Sequence, residues 1–158
     1  MFPWRRPRDN WLRDLLRSFE QLLFSPAQAD AQSADSPRAK GARAEDLACD
    51  HLRRQGYRIV ERNWTCPRGE LDIIASRNGR LIIIEVKSGK ADAHFRPSMH
   101  INSTKQRQLW KLTEHYLKTN RLLGTAVQMD VIEVVYQPDG SHCLEHLQSA
   151  VPDIRNWR

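Results

Sequence analysis

Glu70, Asp72, Glu85 and Lys87 stand in two short strand-forming runs, Gly69-Glu70-Leu71-Asp72-Ile73-Ile74-Ala75 and Leu81-Ile82-Ile83-Ile84-Glu85-Val86-Lys87, with Asn78-Gly79 between them. Asn-Gly between such runs is a strong signal for a two-residue hairpin turn. If Arg77 and Arg80 close the turn, Ile74 faces Ile83, Asp72 faces Glu85 and Glu70 faces Lys87. Successive strand side chains point to opposite faces, so Glu70, Asp72, Ile83, Glu85 and Lys87 share one face, while Leu71, Ile73, Ile82, Ile84 and Val86 share the other. One face reads as core and the other as chemistry. Two carboxylates directly across a sheet repel each other, and a divalent cation reverses the sign of that interaction. Hard carboxylate oxygens suit Mg2+, which keeps several waters while held by one or two carboxylates and a substrate phosphate. Lys87 can reach the same water or phosphate, and the set matches phosphodiester hydrolysis. The plainer reading pairs Glu70 with Lys87 and leaves Asp72 and Glu85 to solvent.

The elements that must position this set can be read around it. From Ala42 to Arg54 the apolar residues Ala44, Leu47, Ala48 and Leu52 fall on one side of a helix, which Gly56 ends. Glu45 borders that apolar stripe, either as an acid favoured by the first turn of a helix or as a contributor to the acidic site. Tyr57 to Trp64 reads as a further strand. After the acidic hairpin, Lys90 to Ile101 reads as a loop carrying His94, Arg96, Pro97 and His100, placed where loops often meet substrate. Ser103 and Gln106 have the spacing of a capping box for a second helix, with Leu109, Leu112, Tyr116 and Leu117 inward. Lys105 lies in its first turn, where a cation is not preferred, so it reads either as a phosphate contact or as a solvated lysine. Trp110 reads as packing more readily than as a platform for a base. Ala126 to Tyr136 is a Val/Ile-rich strand and His142 to Leu147 a short final one, joined by Pro138-Asp139-Gly140. His142, Cys143 and His146 lack the partners and spacing of a zinc site. Asp130, inside the strand, reads as a salt-bridge residue or a support for the acidic site.

The chain has 158 residues, room for one domain of ordinary size, and its 25 Lys and Arg against 19 Asp and Glu leave a formal charge of +6. That balance favours a polyanionic partner without naming one. The longest apolar run, Leu81 to Ile84, is far short of the ~20 residues that a membrane-crossing helix needs. Three widely spaced cysteines argue against a disulfide framework and fit a reducing compartment, so the cytoplasm is the expected location. Residues 1–39 differ from the rest. Trp11, Leu12, Leu15, Leu16, Phe19, Leu22 and Leu23 recur at helical spacing, and Pro and small polar residues crowd between Ser25 and Pro37. This reads as an amphipathic helix and linker, with residues 10–24 packing on their own domain or a second copy, binding a protein partner, or lying on a membrane surface. The expected division is 1–39 for helix and linker, 40–150 for the domain, and 151–158 for a short tail.

The acidic hairpin, together with Gly41, Ala44-Glu45, Gly56, Arg62-Asn63, Lys105 and the strand from Ala126 to Val131, resembles the bacterial uncharacterised protein family numbered 0102. That family is similar to restriction endonucleases and archaeal Holliday-junction resolvases. The resemblance implies an α/β fold, a restriction-endonuclease-like three-layer core with a central mixed β-sheet flanked by helices. It also implies a metal-dependent nuclease using Mg2+ or Mn2+, with Asp72, Glu85 and the Val86 carbonyl as ligands. Lys87 would orient or activate the attacking water, and Glu45 would be the helix's acidic contribution. Lys90, Arg96 and Lys105 would meet phosphates, with Glu70 in support, although Gly89 stands where the family commonly has a basic residue. No pattern for reading bases stands out, so nucleic acid, DNA favoured over RNA, would be bound through its backbone or recognised by a branched, nicked or flapped shape. A homodimer is compatible with the resemblance, because related nucleases often pair to handle two strands. A module that keeps this fold and binds nucleic acid without cutting it is the alternative.

Overall fold

The computed structural model describes residues 36–91 and 101–153. All of them belong to the second of two units into which the chain divides, Ser33–Arg158. The expected N-terminal helix, Arg96 with the rest of its loop, and most of the expected tail lie outside the described residues. The order is helix α1 (Pro37–Arg54), strands β1 (Arg58–Cys66), β2 (Gly69–Arg77) and β3 (Arg80–Lys90), helix α2 (Ser103–Thr119), and strands β4 (Val127–Tyr136) and β5 (His142–Leu147).

Helix α1 begins five residues before the expected Ala42, inside the segment read as linker. Ser36 caps it by accepting from the Ala39 backbone N–H at 3.1 Å, and Pro37 takes the first position, where a missing N–H does no harm. The apolar stripe does not reveal this start, because the first residue of α1 to be buried is Ala44. Ala44, Ala48, Cys49 and Leu52 pack on Tyr57, Ile73, Ala75, Ile82, Ile84, Ile132 and Val134, with Leu47 partly buried beside them. Gly56, with φ of +79°, ends the helix as expected. Leu52→Ala is expected to destabilise the domain by about 2–5 kcal/mol, while Arg53→Ala, in an exposed pair with Asp50, should lose less than about 1 kcal/mol. Urea unfolding followed by circular dichroism separates the two.

The five strands form one mixed sheet in the order β1-β2-β3-β4-β5. Antiparallel β2 and β3 pair as the turn requires, from Arg77↔Arg80 to Ile73↔Ile84, and both Asn78 and Gly79 have positive φ, as in a type I′ turn. β3 pairs with β4 in parallel through the crossover helix α2, and β5 returns antiparallel on β4.

Two expectations need correction. The face assigned to chemistry is also core along much of its length: Ile74 and Ile83 are buried opposite the α1 layer. On that side α2 buries Leu109, Trp110, Leu112, Thr113, Tyr116 and Leu117, with Tyr116 edge-on to Trp64. The ladder also stops at Ile73↔Ile84, so Asp72 does not pair with Glu85, nor Glu70 with Lys87. In its place Asp72 Oδ2 accepts from the Val86 backbone N–H at 2.7 Å, a local alternative to the ladder that carboxylate side chains readily offer.

The cap of α2 is Asn102, whose side chain accepts from the Lys105 N–H at 2.8 Å, one residue before the expected Ser103. Trp110 is buried as expected and donates from Nε1 to the Pro152 carbonyl.

Candidate functional site

The open end of the β2–β3 hairpin gathers charged groups from three elements. β2 supplies Asp72, β3 supplies Glu85, and the first turn of α2 brings Lys105 against them. Glu85 is buried; its Oε1 lies 2.8 Å from Lys105 Nζ, while Oε2 has no hydrogen-bond partner in the protein. Burial, reinforced by the Glu85 charge, pushes the Asp72 carboxyl up to about 7, against the opposing pull of the Val86 N–H and Lys105. Glu45 approaches from α1. Burial raises its pKa, the Asn63 amide and Arg62 act against that, and its own charge reaches Asp72. Arg62 leans away from it, at 2.7 Å from Asp46 Oδ1 and 3.9 Å from Glu45 Oε2. Glu45 Oε2 is likewise buried without a hydrogen-bond partner.

Two buried carboxylate oxygens without partners, beside an acid whose ionisation is suppressed by burial and then by a neighbouring acid, are groups that a hard divalent cation would satisfy. Among the described residues no three or more His, Cys, Asp or Glu side chains form a group that could hold a metal ion by themselves. Asp72 and Glu85 would hold it, with Glu45 at the margin.

Lys87 is not drawn into that cluster by a direct contact. It is register partner to Glu133 on β4, whose pKa is raised by burial and by Glu145 against the opposing pull of the Lys87 charge. Glu133 is buried with Oε2 unpartnered, and it went unremarked in the sequence. The available signal was a lone acid in Val131-Ile132-Glu133-Val134-Val135, level with Lys87. Glu70 and Lys105 meet in a cleft of about 340 Å³ also lined by Thr65, Cys66, Gly69 and Gln108. Gly69 keeps this cleft open: its φ is +139°, and a Cβ there would come 3.1 Å from Gln108 Nε2. Lys90 is exposed and is the last residue of β3, which runs three residues past the expected Lys87, so it does not open the loop as expected.

Asp130 lies on the α1 side of the sheet, level with Ile84, and so does not support the acidic cluster. It is buried and accepts from Gln128 Nε2 and the Ser149 N–H, with His146 Nε2 at 2.9 Å. This is the salt-bridge role, and it occupies the histidine that invites a zinc reading.

An α/β domain whose mixed sheet opens onto a partly buried acidic cluster is the class that fold and site define. A profile of "Uncharacterised protein family UPF0102" matches residues 44–134, and the chain belongs to that family. A UPF0102 protein of Pelobacter propionicus is 37% identical over 115 residues, covering 72% of this chain and 82% of the relative. One from Tropheryma whipplei is 41% identical over 103 residues, covering 64% and 85%. Among solved structures, Pyrococcus furiosus SfsA in complex with Ca2+ is similar at 15% identity and a TM-score of 0.37, over 72% of this chain and 64% of that one. Among the described residues no helix is long and apolar enough to cross a membrane.

Proposed function

We propose that this protein hydrolyses phosphodiester bonds in nucleic acid, DNA in preference to RNA, with Mg2+ or Mn2+ held by Asp72, Glu85 and the Val86 carbonyl. The observation that carries this reading is the buried Glu85 carboxylate, which keeps one oxygen without a partner and lies near enough to half-buried Asp72 for its charge to help raise the Asp72 pKa. When bound, the ion supplies charge neutralisation at a phosphoryl oxygen and a more acidic water. The chain's residues do the rest. Asp72 is fixed by the Val86 N–H, which commits one of its oxygens and leaves the other for the ion in this reading. Lys87, on the same strand face as Glu85, orients the attacking water, and Glu45 closes the α1 side. Lys90, Arg96 and Lys105 take phosphate oxygens, with Glu70 at the cleft wall; these contacts are blind to base identity, which favours a nicked, flapped or branched substrate. A second copy would bring a second such site to the opposite strand.

The test is cleavage of linear, flapped and four-way DNA and RNA with Mg2+ or Mn2+. Glu85→Gln and Lys87→Ala should each lower the rate by about 100-fold or more, the usual scale for a positioned acid–base group. Ion-dependent cutting that persists in both variants rejects the site. Binding of the same substrates with no cutting under any ion replaces this reading by a binding module.

A further inference from the structure

Lys105 occupies an unfavourable place for a lysine. It lies in the first turn of α2, where the helix dipole opposes a cation, and its side chain is only one-third exposed, at 34%. What compensates is Glu85, 2.8 Å away and itself 10% exposed at the side chain. The lysine engages only Oε1, while Oε2 stays buried and unpartnered. A half-satisfied buried carboxylate is a poor final state, because one ammonium fills one of its acceptor edges and leaves the other desolvated. Beside it lies the cleft lined by Thr65, Cys66, Glu70, Gln108 and Lys105 itself, so open space adjoins the lysine that holds the carboxylate.

We propose that Lys105 is the internal counter-ion of Glu85: it holds the carboxylate until a divalent cation arrives, is displaced by that cation, and then presents its ammonium to a phosphate oxygen in the adjacent cleft. This rests on the divalent-ion reading of Asp72 and Glu85 and adds a sequence to it, in which ion and lysine exclude each other at Glu85 and the ion promotes nucleic-acid binding. An ammonium at contact distance from Oε1 and a divalent ion on Oε2 of the same carboxylate repel each other across a few ångströms, so lysine occupancy subtracts from ion affinity. The ion adds charge to the site and at the same time releases a second positive group toward the polyanion.

The test titrates the full chain with Mn2+ by calorimetry at fixed ionic strength and, separately, measures binding of a nicked DNA duplex in Ca2+. Lys105→Gln should bind Mn2+ about ten-fold more tightly than wild type, the effect of removing roughly one tenfold step in competition, yet bind the duplex more weakly. Lys105→Arg, whose planar fork can grip both carboxylate oxygens, should bind Mn2+ more weakly than wild type. Lys111→Gln, on the exposed face of the same helix, controls for the loss of one positive charge and should leave Mn2+ affinity near wild type. Mn2+ affinity that is unchanged or lower in Lys105→Gln, or raised equally in Lys111→Gln, overturns the counter-ion role. Duplex affinity unchanged in Lys105→Gln overturns the hand-over to phosphate. The parent reading has its own readout: no Mn2+ binding by wild type, or undiminished binding in Asp72→Ala, removes the ion site itself.

Discussion

Asp72→Asn is expected to lose ion-dependent cleavage altogether and, without added ion, to be the more stable protein above pH 7. Asparagine keeps a carbonyl oxygen that can accept from the Val86 N–H, so the local structure survives while the charge disappears. The folded-state pKa of Asp72 is pushed up to about 7 from an ordinary 3.8, chiefly by burial and then by Glu85. A carboxyl whose pKa is raised on folding binds its proton more tightly in the native state, so it lowers stability as pH climbs between the two values. The destabilising contribution of this carboxyl should therefore be absent below about pH 4, grow through pH 4–7, and level off above; a shift of this size corresponds to about 4 kcal/mol. In Asp72→Asn that slope should flatten. Added Mg2+ should stabilise wild type above pH 7 and leave the variant unchanged, since only the former binds it in the native state. Urea midpoints from pH 4 to 8 decide: identical profiles for the two proteins would show that Asp72 does not titrate in this range.

Asp130→Ala should be the most damaging substitution on the other side of the sheet. The carboxylate is buried in β4 and serves Gln128, His146 and the Ser149 backbone N–H together. Removing it strands three polar partners, one of them the ring of His146 packed edge-on against His51. Loss of one member of a buried, hydrogen-bonded pair costs about 3–5 kcal/mol, largely through the partner left behind. Thermal melts should show a large fall in Tm for Asp130→Ala and a smaller one for Asp130→Asn, which keeps an acceptor. Mn2+ affinity per folded molecule should not change, because Asp130 and Glu85 point to opposite faces. An equal loss in the alanine and asparagine variants would mean that the charge, and not the acceptor count, holds this cluster.

The contrast between these two acids shows what could be read without coordinates. Both are carboxylates set among apolar residues of a strand that carries one further acid, Glu70 on β2 and Glu133 on β4. Asp72 was identifiable because Asn78-Gly79 sets a local register that carries it toward Glu85, and the observed pairs from Ile73 to Arg77 keep that register. Local spacing could not reveal that the ladder ends three pairs short of Glu70 and Lys87, since Asp72 itself competes for the Val86 N–H. Asp130 depends on β5 and the turn at Ser149 folding back, which no nearby residue encodes. The same limit hid the Lys105–Glu85 pair. Lys105 stood out by its place at a helix start, but what it touches follows from how α2 docks on the sheet. The α2 cap was missed for a smaller reason: Asn102 and Ser103 are both competent caps, and only the backbone chooses between them.

β3 has an antiparallel neighbour joined by two residues and a parallel neighbour reached only through α2. Short closures form quickly and distant ones late, so the mixed sheet imposes an order of assembly. The hairpin brings Asp72 and Glu85 together while Lys105 still belongs to chain that has not docked. On that order the two acids are expected to meet before their counter-ion arrives, and the docking of α2 to lessen their repulsion without abolishing it.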